Sequence, residues 1–147
     1  MKMKDRYLFK AKRIDNGEWV QGYLFDDGFE NGKIFIGGLV IEKYTGTACD
    51  DWTISGSCFC EVDKSTICQC TGLKDKNGNL IWENDVVNCL TEKCCGCIGW
   101  NESEAGFYFN VLLEDGRFEE EYIYDYQDGI GVIGNIFDNK ELLESEE

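Results

Sequence analysis

Cysteine carries the most chemical potential in this chain. Nine cysteines occur, and histidine is absent. Cys58-x-Cys60 and Cys68-x-Cys70 are spaced i, i+2, so on strands each pair projects from one face. Cys94-Cys95-x-Cys97 flanks Gly96, with Cys89 five residues upstream. Zinc seeks four soft ligands in a tetrahedron, usually from knuckles with two to four residues between cysteines. A C-x-C pair is tighter than that, and no imidazole can complete the set. Two such pairs form a thiolate site only where adjacent strands bring them together. The competing role is packing, since free cysteine behaves as a small hydrophobe. Spacing and composition favour packing. No cofactor is therefore expected; zinc is the one to test, with Cys58, Cys60, Cys68, Cys70, Cys94, Cys95 and Cys97 as candidate ligands. Cys94 to Cys97 is also a C-x-x-C, but it lies in an expected β loop rather than a thioredoxin-like βαβ unit.

Acids are the second lead. Glu119-Glu120-Glu121 follows the Asp115-Gly116 turn, and Glu102 and Glu104 flank another. Paired carboxylates serve as acid and base in hydrolases, but they need a cleft that splits their pKa values. The usual neutral-pH base, histidine, is missing. Charges on an exposed edge strand, which discourage sheet-edge pairing, fit the run better. Asp75, Glu83 and Asp85 surround Asn77-Gly78. They either face a partner or ion or are the solvated acids of a structural hairpin, and the second reading is favoured. Neither G-x-x-x-x-G-K-[ST] nor G-x-G-x-x-G occurs. No catalytic or cofactor-binding residue is assigned, and an enzyme is not expected.

Net charge is −15 and unevenly placed. Residues 1–20 hold six basic and three acidic groups, whereas residues 101–147 hold two basic and fourteen acidic. Such a surface repels nucleic acid and favours basic partners. Lysines and aromatics interleave at Lys4–Arg13, but the stretch is short, and direct nucleic-acid binding is not expected. No apolar run reaches 18 residues, so no transmembrane helix is predicted. The basic start MKMKDRYLFKAKR has no apolar core or cleavage site after it. Free thiols and no leader point to a reducing cytoplasm.

The elements that must position these groups are strands. Aromatics are frequent, with 9 Phe, 7 Tyr and 4 Trp, while Pro is absent and Gly numbers 17. That mixture predicts short strands joined by glycine turns. Tyr7, Phe9 and Ala11 share a face of a first strand, Asp15-Asn16-Gly17 turns, and Trp19–Phe25 forms a second. Lys33–Ile41 is a third, with a bulge, bend or close approach at Gly37-Gly38. Trp52–Ile54 and Phe59–Val62 are two short strands around Gly56. Asn77-Gly78 suits a two-residue type I′ hairpin, with Leu80 and Trp82 on one face and Ile81 on the other. Strands then follow at Asp85–Leu90, Ile98–Trp100, Phe107–Leu113, Phe118–Tyr124 and Val132–Phe137. Turns are expected at Cys94–Gly96 and Glu114–Arg117. The tail has Asn139 as a potential N-cap for a short helical stretch. The last block has the size of an SH3-like barrel. The expected division is an N-terminal β subdomain at 1–70 and an SH3-like barrel at 71–147.

Three segments carry a resemblance to a known family: RYLFKAKRIDNGEWVQGYLFDDG, EVDKSTICQCTGLKDKNGNLIWENDVV and GVIGNIFDNKELLE. The chain resembles the YopX family of phage and prophage proteins through Thr71-Gly72-Leu73-x-Asp75-x-Asn77-Gly78, Ile133–Ile136 and Glu141-Leu142-Leu143. The resemblance implies a small cytoplasmic protein with a C-terminal SH3-like barrel and homo-oligomeric assembly. It implies no catalytic residues. Cysteine stands at several positions where the family pattern has aromatic, valine or polar residues. The expected function is therefore a phage accessory role exercised by protein–protein contact with itself or a basic host protein. An acidic DNA-mimic inhibitor and a cysteine-based metal module are the alternatives.

Overall fold

The computed structural model describes residues 5–43, 52–89, 95–112, 117–126 and 128–143. They are mostly antiparallel β, with a single turn of α-helix and three 3-10 turns. Two compact units result. Leu8–Ile67 forms one, and the segment ending at Tyr7 joins the described residues from Cys68 onward in the other. Residues 1–70 were expected together; the division instead falls at Ile67/Cys68.

The first unit is a meander of β1 (Phe9–Lys12), β2 (Trp19–Asp26), β3 (Ile34–Lys43) and β4 (Trp52–Glu61), ordered β4-β3-β2-β1. Its register aligns Ala11 with Val20, and Leu24 with Ile36. With a side-chain period of two, this gathers one face into a core. Ala11, Ile36 and Val62 are buried there, with Phe9, Val20, Leu24, Ile34 and Ile67 packed against them. Asp63 then caps a 3-10 turn, Lys64–Thr66, by accepting from the Ser65 N–H.

Two expectations change here, and a third is narrowed to one of its alternatives. Tyr7 closes a 3-10 turn, Asp5–Tyr7, instead of starting the first strand. The two short strands around Gly56 are one ladder, β4, paired with β3 along its length. Gly37 is a close approach, because a Cβ there would collide with the Cys58 carbonyl oxygen. The irregularity in register lies further on, at Val40/Ile41.

The second unit holds a hairpin of β5 (Cys68–Lys74) and β6 (Leu80–Trp82). It also holds β7 (Asp85–Cys89), β8 (Cys95–Asn101), β9 (Gly106–Leu112), β10 (Phe118–Tyr122) and β11 (Ile130–Asn135), ordered β10-β9-β8-β7-β11. The last strand returns to pair with the first of the block, which is the strand order of an SH3-like fold. Among the described residues no ladder joins β10 to β11 to close it. Ile81, Val87, Ile98, Phe109, Ile123 and Ile130 make its core. Ile123 comes from α1 (Ile123–Tyr126), whose Tyr126 meets Phe109 edge-on at 5.4 Å. Cys95 and Gly96 lie in β8 instead of the expected turn, and Cys94 lies outside the described residues. The expected Glu114–Arg117 loop also falls largely outside them. Asn139 turns its side-chain oxygen back to the Asn135 N–H at 3.3 Å, and the tail forms a 3-10 turn, Lys140–Leu143.

The hairpin turn differs from the expected type. Asp75 N–H donates to Asn79 O at 2.8 Å and Gly78 N–H to Asp75 O at 2.9 Å. Gly78 has φ +83°, and Asn77 is not in the left-handed region. This is a three-residue loop, a type I turn closed by a left-handed glycine. Asp75 decides the difference. It is only 5% exposed. Its Oδ1 accepts from the N–H of Asn77 at 2.9 Å and Asn79 at 2.8 Å. Its Oδ2 accepts from the Asn79 amide at 3.3 Å and from Val132 N–H on β11 at 3.0 Å. Burial pushes this carboxyl upward, but the Val132, Asn79 and Asn77 donors outweigh it and hold it below the ordinary carboxylate value.

Asp75→Ala leaves four donors without that acceptor and should cost about 3 kcal/mol of stability, measured by urea unfolding. Because the folded value lies below the unfolded one, this contribution is complete above the unfolded pKa of about 3.9. It fades as pH falls through the folded value. Stability titrated from pH 6 to pH 2 should fall less steeply in Asp75→Ala than in the native chain.

Candidate interaction surface

The cysteines separate. Cys58 and Cys60 sit on β4 of the first unit, Cys58 exposed and Cys60 half-buried. Cys68 and Cys70 sit on β5 of the second unit and are fully buried on its inner face. Cys68 accepts from the Asn84 amide at 3.6 Å. Cys97 is half-buried on β8. Burial, then the negative charges of Asp85 and Glu83, push its thiol up to about 11. Cys94 and the side chains of Cys89 and Cys95 lie outside the described residues. Among the described residues no three Cys, Asp or Glu side chains gather as a metal ligand set.

The acids of the central hairpin separate too. Asp75 and Asp85 are buried, so neither is presented to a partner or solvated. Asp85 accepts from the Trp82 N–H at 2.9 Å and so holds the tight turn between β6 and β7. Asn84 takes φ +66° there. Glu83 is half-buried beside β5, where its backbone N–H donates to Gln69 O at 2.9 Å. By contrast, Glu119 and Glu120 on β10 are exposed, and β10 ends its sheet.

Two surfaces of the first unit were not anticipated. One is the sheet face opposite its core. Tyr23, Gly37 and Phe59 are aligned across β2, β3 and β4. Tyr23, Phe25 and Phe59 are 38%, 41% and 42% exposed, and Phe25 meets Phe59 edge-on at 4.9 Å. Trp19 shares their parity on β2. Lys10 and Lys12 place their ammonium groups 5.2 and 5.4 Å from its ring centre. The sequence signal was present: β2 is apolar at even positions (Val20, Leu24) and aromatic at odd ones (Trp19, Tyr23, Phe25). An antiparallel strand that covers one core needs only one apolar face.

The other is a cleft of about 740 Å³. Ile14, Ile34 and Val62 give it an apolar lining, and Lys12, Arg13, Lys33 and Lys64 stand around it with Glu61 and Asp63. Arg13 Nε donates to Asp15 Oδ1 at 2.9 Å, and Lys33 Nζ lies 2.9 Å from Glu61 Oε2. The Arg13 hydrogen bond holds the exposed Asp15 carboxyl below its ordinary value. The loops that bring these cations together are set by side-chain caps. Asp27 Oδ2 accepts from Lys33 N–H at 2.8 Å, and Thr66 Oγ1 accepts from Lys12 N–H at 2.9 Å.

Maleimide labelling of the native chain, mapped by peptide mass spectrometry, should modify Cys58 ahead of the other cysteines whose side chains are described. Cys68, Cys70 and Cys97 should react at least tenfold more slowly until denaturant is added.

None of the curated proteins matches the chain. Among solved structures, the protein EF1440 from Enterococcus faecalis is similar at 27% identity and a TM-score of 0.51. The match covers 92% of this chain and 96% of that one. The family model described as YopX protein matches residues 9–144, which takes in both β units and the Asp75 turn that joins hairpin to β11. The chain therefore belongs to the YopX family.

Proposed function

We propose that this protein is a phage or prophage accessory factor that works in the host cytoplasm by protein–protein contact, without catalysis, and that it assembles with copies of itself. The observation that carries this reading is the exposed aromatic face of Tyr23, Phe25 and Phe59. A contiguous aromatic patch on a charged protein marks an interaction site, because aromatics contribute large contact area at low entropic cost. Family membership supports the phage context. Unlike charges at the two ends of the chain supply attraction between copies.

The acidic DNA-mimic reading retains one supporting observation, the exposed Glu119 and Glu120 on an edge strand. Occupying a basic cleft on a nucleic-acid enzyme would need such carboxylates at phosphate-like spacing.

Light scattering across a salt series tests the main reading. A mass above the monomer at low salt, declining as salt rises, is expected. A monomer mass at every salt concentration would overturn self-assembly.

A further inference from the structure

β4 is the outermost strand of the first unit. β3 lies on one side, and among the described residues no strand pairs with it on the other. The bonds at its end fix which way its backbone groups point. Val62 N–H donates to Ile34 O, toward β3, whereas Glu61 O accepts from Ile14 N–H, away from β3. Backbone groups alternate along a strand, so Ser57 and Phe59 turn their N–H and C=O to the open side. A free sheet edge is ordinarily blunted by charge or proline. Residues 52–60 contain neither. By contrast, the edge strand β10 carries Glu119-Glu120-Glu121, which repels its own copy. On β11 the Val132 N–H and Ile130 O are taken by Asp75 and Lys76.

The open stretch of β4 has defined ends. Ile14 occupies Glu61 O at one. At the other, Gly56 pairs with Val40 and Ile54 with Ile41, so Ser55 is a bulge that bends the strand. Residues 56–60 remain, and their midpoint is Cys58. We infer that this edge pairs with the same edge of a second copy, antiparallel about a two-fold axis at Cys58. Ser57 of each copy then exchanges N–H and C=O bonds with Phe59 of the other. A register centred on Ser57 or on Phe59 would set one of these residues against the bulge or against the occupied Glu61. The inference rests on the self-assembly reading above and names its contact: unlike charges draw two copies together, and the strand edge fixes their orientation.

What the pairing covers argues for a second copy as the occupant. Phe59 is 42% exposed and meets Phe25 edge-on on the outer face of the sheet. Across the axis the two Phe59 residues become diagonal neighbours, about 7–8 Å apart and within reach of aromatic side chains. The aromatic patch thus runs on from one copy into the next, and neither strand brings a charge to the pairing. The exposed Cys58 faces its own twin in a non-hydrogen-bonded pair. Such a pair has about 4.5 Å between Cα atoms, a separation that a disulfide spans.

Cys58 therefore reports on the contact. Diamide takes one electron and one proton from each of two thiols, giving the disulfide and the reduced hydrazine. Added to the full chain at low salt, it should give a covalent dimer whose peptide map is led by Cys58 linked to Cys58. Maleimide labelling of Cys58 should slow as protein concentration rises through the association range. Ser57→Pro removes an outward N–H and leaves the β3 ladder intact; Cys58→Lys sets like charges opposite each other. Sedimentation equilibrium should find each at least tenfold weaker in self-association than the native chain, and Cys58→Ser at native strength. Unchanged circular dichroism and melting temperature identify the loss as one of contact, and Cys58→Lys stands as an independent probe should Ser57→Pro unfold. Native-strength association in both variants, or an associating chain that gives no Cys58–Cys58 link, would overturn this contact while leaving self-assembly intact. A native chain that is monomeric throughout would overturn both.

Discussion

The buried Asp75 carboxylate is the constraint on which the second unit depends. One side chain satisfies backbone donors within its own turn and on β11, far away in sequence. A loop of this kind would otherwise bury unpaired N–H groups, each costing on the order of 1–3 kcal/mol. The ion remains charged although it is removed from water, because the donors replace the hydration it loses. Lys76 N–H, bonded to Ile130 O at 3.1 Å, fastens the same turn to the same strand. The hairpin and the final strand are thereby fixed together before any side chain of the core is considered. Ile81 and Ile130 then meet in one cluster because the strands that carry them are already held.

Asp85 performs the equivalent task one turn later. It is 2% exposed and binds the Trp82 N–H, so the chain can reverse within two residues. Asn84 supports that reversal from the left-handed region, which asparagine tolerates better than most residues. Its backbone joins Ile98 O at 2.8 Å and the Ile136 N–H at 3.1 Å, linking β8 to the segment after β11. Two aspartates and one asparagine, all of them sequence features that suggest solvent, thus form the polar frame of a β unit.

The surface open to contact is what the two cores leave outside. The first unit needs only one face of its sheet to cover Ala11, Ile36 and Val62. The opposite face keeps its aromatics in water, an arrangement that costs free energy unless something covers it. The cysteines contribute to the interior in the other unit, where Cys68 and Cys70 occupy space a valine could fill. Cys68 and Cys70 pack, and burial pushes the Cys97 thiol up to about 11.

The family was legible as a resemblance carried by particular segments; local pattern by itself determined the β class and most strand positions, because alternation, glycine turns and β-branched residues act over a few residues. It also placed the turns at Gly17 and Gly78, where a residue without Cβ is cheapest. Tertiary structure decided the rest. The turn at Asn77-Gly78 gained a third residue because Asp75 binds a strand more than fifty residues away, and no local pattern encodes that partner. The two short strands expected at Trp52–Ile54 and Phe59–Val62 are one strand, Trp52–Glu61, because β3 pairs with it on both sides of Gly56 through a single register shift. Which acids are buried, which cysteines pack, and which aromatics stay wet all depend on the sheet face each residue occupies. That face is set by register against distant strands, and a shift of one residue would exchange inside for outside.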